Sequence, residues 1–141
     1  MSKVMSLRLK DEQVERLQRA ARRWGRTPSE IAVLLLEESL RQRDFAFIEF
    51  RDSAVGRQAY LQGTRLPVWQ VAWLVRDYGG DVAKTADHLN LPVVQVAAAM
   101  RYAAAYPDEI EAAIVDNTHA VANLADQLPN LEVFDVDAFA S

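Results

Sequence analysis

Two histidines, His88 and His119, and no cysteine are all that this chain offers toward soft-metal or thiol chemistry. Neither histidine stands in a motif with a nucleophile, and no glycine-rich phosphate loop, zinc-ligand spacing or carboxylate dyad appears. The side chains that do fall into a pattern lie near the N-terminus. Lys3, Val4, Ser6, Arg8 and Lys10 stand among Met5, Leu7 and Leu9, with polar and apolar residues alternating. Arginine pairs bidentately with guanine, a hydroxyl accepts or donates to either base, and valine meets a thymine methyl. That chemistry reads duplex DNA rather than turning over a substrate. No catalysis, no cofactor and no metal are therefore expected. Ser6 or Arg8 taken singly reads better as the solvated side of an amphipathic strand; the whole constellation favours DNA.

The charge distribution agrees. The net charge is −4, yet residues 1–44 stand at +3, residues 45–115 at −2, and residues 116–141 at −5 with no base at all. A basic front and an acidic end call for different partners. The absence of cysteine suits a reducing compartment. No apolar signal core and no stretch of membrane-spanning length is present, so a soluble, cytoplasmic protein with no membrane partner is expected.

Period-two alternation over Lys3–Lys10 predicts a strand, with Met5, Leu7 and Leu9 on one face. A lone strand needs an edge to pair with, and a second copy supplies one. From Asp11 the period turns helical: Val14, Leu17, Ala21 and Trp24 share a face, and Gly25 supplies the stop. Thr27-Pro28-Ser29-Glu30 then places an N-cap hydroxyl, a first-turn proline and a capping-box glutamate in order. Ile31, Leu34, Leu35, Leu36 and Leu40 make the second helix too apolar to be covered by its own short unit.

Strand, helix, tight turn and capped helix over residues 3–43 resemble the ribbon-helix-helix family of Arc, CopG and MetJ type. The resemblance implies an intermolecular two-stranded ribbon in a homodimer, laid in the major groove. Ser6 and Arg8 would reach base edges, with Val4 and either Lys3 or Lys10 beside them. Thr27 and Ser29, at the start of the second helix, would meet a DNA phosphate.

Beyond Arg43, Phe45–Phe50 is strand-prone, Asp52–Gly56 reads as a turn, and Arg57–Leu61 is the return strand of a short hairpin. Pro67 opens a helix with Val68, Val71, Ala72 and Val75 on its apolar face. Asp81 caps a short helix over Val82–Leu89, and Asn90-Leu91-Pro92 turns into a longer one from Val93 to Tyr106. This is a helix-turn-helix outline. The run Gly63-Thr64-Arg65-Leu66-Pro67-Val68-Trp69, then Gly80-Asp81-Val82-Ala83, then Leu91-Pro92 and Tyr102…Tyr106-Pro107-Asp108-Glu109-Ile110, resembles over roughly residues 47–114 the domain-of-unknown-function 433 family, found in antitoxins of VapB type. The second of the paired helices offers Gln95 and Arg101 but otherwise alanine and valine, so packing or partner contact is favoured over base reading. Arg65 and Trp69 are expected to fix the hairpin against the first helix rather than to bind a ligand.

Three segments result: 1–44 for DNA binding and dimerisation, 45–115 as a helix-turn-helix-like domain, and 116–141 as an acidic helix and tail. The expected fold is mainly α with short β, an N-terminal ribbon-helix-helix followed by a small helical domain with a short hairpin. In the tail, Leu131, Val133, Phe134, Val136 and Phe139 alternate with acids. They are expected either to add a strand to a partner's sheet edge or to fold back on the chain's own core. The reading is an antitoxin of a type II toxin–antitoxin system, a homodimer or higher homo-oligomer that binds operator DNA. Its partner, by resemblance, is a PIN-like ribonuclease toxin. A stand-alone repressor whose second module oligomerises is the alternative, and a purely structural interaction protein is the third.

Overall fold

The computed structural model describes residues 2–54 and 56–127, which form six helices and one two-stranded sheet. They divide into two compact units, the first ending at residue 41 and the second starting at residue 42.

In the first unit, residues 2–10 carry no strand and are exposed throughout. The expected fold is corrected at this point: the sheet of this chain follows two N-terminal helices, and no N-terminal ribbon precedes them. Alternation over eight residues describes any extended segment, whereas a strand exists only where a neighbour completes its hydrogen bonds. Among the described residues no element pairs with residues 2–10. Lys10, expected as the last strand residue, is instead the N-cap of α1 (Asp11–Trp24), and its N–H donates to Gln13 Oε1 at 2.9 Å. Asp11 and Glu12 in the first turn and Arg22 and Arg23 in the last match the helix dipole. Gly25 ends α1 in the left-handed region at φ 63°. Thr27 then opens α2 (Pro28–Asp44). Its Oγ1 accepts from Glu30 N–H at 3.2 Å and donates to Glu30 Oε1 at 3.1 Å.

The second unit begins with the hairpin. Strands β1 (Ile48–Ser53) and β2 (Gly56–Leu61) pair antiparallel with Ile48 opposite Leu61, Phe50 opposite Ala59 and Ser53 opposite Gly56. Phe45–Phe47 stays outside the strand, since Phe47 takes φ 63° and its carbonyl accepts from Gln62 N–H at 2.7 Å. Helices α3 (Val68–Asp77), α4 (Val82–Leu89), α5 (Val93–Ala105) and α6 (Pro107–Gln127) follow. Asp81 caps α4 by accepting from Lys84 N–H at 2.9 Å, and Asn90 closes it in the left-handed region. Pro107 ends α5 and also opens α6, where a proline loses no helical hydrogen bond.

The core of this unit lies where α3, α5 and α6 meet the hairpin. Val68, Val71, Ala72 and Val75 of α3 are buried with Val96, Ala99 and Tyr102 of α5, Ile110 and Ile114 of α6, and Ile48 and Leu61 of the sheet. The alanines of α5 let the α3 backbone come close, which is why so many small side chains sit in the middle of a packed interior.

A candidate nucleic-acid interface

The residues expected to read DNA fall in two places. Lys3, Val4, Ser6 and Arg8 lie on the extended segment, and Lys10 ends it at the α1 cap. Thr27 and Ser29 lie at the start of α2. All seven are exposed. Their apolar neighbours are exposed too: Val4 at 98%, Met5 at 80% and Leu7 at 68%. Neither face of residues 3–9 is therefore covered within the chain. At the α2 end the Thr27 hydroxyl is engaged in the capping box, so Ser29 is the freer hydroxyl. The Glu30 carboxylate bonded to Thr27 offsets part of the positive field at that helix end.

The same unit exposes Leu9, Val14, Val33, Leu36 and Leu40, while among its apolar residues only Ala21 and Ile31 are buried. Leu17, Trp24, Leu34 and Leu35 are partly covered. Two helices with so small an interior have a surface to offer a partner.

The motif at residues 63–69 proves to be a turn built by hydrogen bonds. Thr64 Oγ1 donates to Leu61 O at 2.8 Å and accepts from Leu66 N–H at 3.0 Å, while Leu61 N–H donates to Leu66 O at 2.9 Å. Gly63 takes φ 75°, and its N–H donates to Glu49 Oε1 at 3.3 Å. The guanidinium that fixes this turn belongs to Arg51, not Arg65. Arg51 donates to Glu49 and to the Thr64 carbonyl, and its Cζ lies 4.5 Å from the centre of the Tyr60 ring. Arg65 is exposed, whereas Trp69 is a core residue whose Nε1 has no acceptor among the described residues.

On α5, Gln95 is half-buried and Arg101 exposed. Six residues separate them, so they point about 120° apart around the helix and cannot address one groove floor together. Val93 and Val94 at the start of α5 are exposed. His88 Nδ1 lies 2.7 Å from the Tyr78 hydroxyl, an α3–α4 contact that ties the turn together. Tyr102 is fully buried, donates to Glu109 Oε2 at 2.6 Å and packs edge-on against Phe45 and Phe50.

The expectations for Leu131, Val133, Phe134, Val136 and Phe139 concern groups outside the described residues. Among the described residues no group of three or more His, Asp or Glu side chains is placed to hold a metal ion. No helix among them is long and apolar enough to cross a membrane. Compared with known proteins, the chain matches no family model, no curated sequence and no solved structure.

Proposed function

We propose that this chain is a non-catalytic, cytoplasmic DNA-binding repressor and the antitoxin of a type II pair, with a PIN-like ribonuclease as its toxin. The supporting observation is the character of residues 2–41: net basic, with Lys3, Arg8 and Lys10 exposed and with most of its large apolar side chains uncovered. A second copy laid on Val33, Leu36 and Leu40 completes that interior, and homodimers commonly share such a core. The DNA contacts fall to side chains of the extended segment, Lys3, Val4, Ser6, Arg8 and Lys10, with Thr27 and Ser29 at a phosphate. The toxin contact falls to Leu131, Val133, Phe134, Val136 and Phe139, whose acidic setting complements a surface that binds RNA. Exposed Val93 and Val94 favour a second reading, in which residues 42–127 serve oligomerisation and the chain is a repressor without a toxin.

The test is titration of the DNA upstream of the chain's own reading frame with wild type and Arg8→Ala. Loss of one bidentate base contact weakens binding by about 1–3 kcal/mol and relaxes preference at one base pair. Failure of the wild type to bind that DNA in preference to unrelated sequence overturns the repressor reading.

A further inference from the structure

We infer that Arg16, Arg19, Arg22, Arg23 and Arg26 form a surface that grips the phosphate backbone of duplex DNA, separate from the base-reading residues of the N-terminal segment. The inference rests on the DNA-binding reading above and says where most of its affinity comes from.

Residues 16–26 hold five arginines and no acid, in a chain whose net charge is −4. All five are exposed. Glu12 and Glu15 lie one turn earlier on the same side of α1, yet the ion pairs formed among the described residues lie elsewhere, in α2, in the hairpin and between Arg76 and Glu111. Arg19 and Arg23 stand four residues apart on α1, and Arg16, Arg19 and Arg22 step by three. Like charges at these spacings repel along a helix and cost stability. Complementing the dipole at the α1 C-terminus needs one or two cations, not five, and Arg26 lies beyond the helix end. Folding leaves this charge unexplained, and an anionic partner explains it.

The form of the surface selects the partner. Arg16 to Arg23 spans about 10 Å along the helix axis, with Arg26 beyond its end, a rise that follows successive phosphates of one groove edge. Guanidinium groups fork onto phosphate oxygens and shed water more easily than ammonium groups. At the α1–α2 turn, a hollow of ≈ 470 Å³ is lined by Gln18, Arg22 and Arg26 together with Ala21, Gly25 and Pro28. A bilayer would need the apolar side of α1, but Ala21 is buried there and Leu17 and Trp24 are partly covered. A protein partner would need apolar anchors between the cations. The polar side of α1 carries none.

The test is fluorescence-anisotropy titration of the full chain with a mixed-sequence DNA duplex across about 50–200 mM salt, where affinity falls with a slope of about −0.9 per phosphate neutralised. The variant replaces all five arginines by glutamine, a neutral residue of similar helix propensity. Losing three contacts per chain flattens the slope by about 2.7, so the ratio of wild-type to variant affinity shrinks about 40-fold over that range. A control that removes three exposed cations elsewhere, Arg43→Gln, Arg65→Gln and Arg101→Gln, leaves the slope near that of wild type. If circular dichroism shows loss of helix in the five-site variant, Arg22→Gln with Arg26→Gln carries the test, with a flattening of about 1.8. An unchanged slope in a folded variant, or an equal loss in the control, overturns the arginine surface while DNA binding stands. A wild-type chain that binds no duplex overturns both.

Discussion

Tyr102→Phe isolates the polar half of the residue on which the second unit turns. The phenol is fully buried, its ring stands 5.5 Å from Phe45, 6.2 Å from Phe50 and 4.9 Å from Tyr106, and its hydroxyl donates to Glu109 Oε2 at 2.6 Å. Phenylalanine keeps every ring contact and deletes the one donor. A hydrogen bond to a charged acceptor contributes about 1.5–3 kcal/mol, and the lower end applies because Glu109 is exposed and water can replace the phenol. Each kcal/mol moves the midpoint of a domain of this size by about 4–8 °C, so a drop of roughly 6–12 °C is expected. Tyr102→Ala adds a cavity beneath three aromatic rings and should cost about 3–5 kcal/mol. Urea unfolding followed by tryptophan fluorescence, with Trp69 and Trp73 as reporters, measures both. A double-mutant cycle with Glu109→Gln apportions the pair, and its coupling should account for most of the Tyr102→Phe loss. Unchanged stability in Tyr102→Phe, together with a cost under about 1 kcal/mol in Tyr102→Ala, would refute the picture of a packed α5–α6 elbow.

Three further outcomes are expected. Leu36→Glu should leave a monomer untouched, since the residue is exposed in one chain, but should abolish a dimer that covers it; sedimentation velocity distinguishes the two. Arg51→Ala removes the contacts to the Thr64 carbonyl, Glu49 and the Tyr60 ring, and should lower stability by about 1–2 kcal/mol in thermal melts, whereas Arg65→Ala should stay within about 0.5 kcal/mol. Deleting residues 128–141 should remove protection of cells co-expressing the toxin while leaving DNA affinity intact; full protection by the shortened chain would place the toxin contact elsewhere.

What could be read in advance was local. Thr27-Pro28-Ser29-Glu30, Gly79-Gly80-Asp81 and Asn90-Leu91-Pro92 start and stop helices through hydrogen bonds made within a few residues, so the sequence alone marks them. What failed was non-local. The segment 3–10 alternates, but a strand is a property of two edges, and the described residues of its own chain supply no second one. Phe45 and Phe47 have strand composition, yet both pack against the core and Phe45 meets the Tyr102 ring of α5, which no window of neighbours reveals. Arg65 sits inside the distinctive motif, but Arg51 does its work from across the sheet, where thirteen residues of sequence become one hydrogen bond. The arginines of α1 read as a solvated face until their exposure and lack of interleaved acids are set beside the repulsion they tolerate. For the candidate interface, residue types were legible; which of them share a surface was not.

The thin interior of residues 2–41 has a consequence for how this protein responds to its own abundance. Residues 42–127 carry their core within one chain, so their folding is indifferent to dilution. An N-terminal half that is completed by a second copy follows mass action instead, gaining about 1.4 kcal/mol per dimer for each tenfold rise in concentration. The two halves would then melt by different laws, the first shifting with protein concentration and the second fixed. A cell holding few copies would contain chains whose C-terminal half is folded and whose basic half is incomplete. On the proposed reading, accumulation of copies would assemble the arginine-bearing unit and switch DNA binding on, so the thin interior would act as a gauge of copy number.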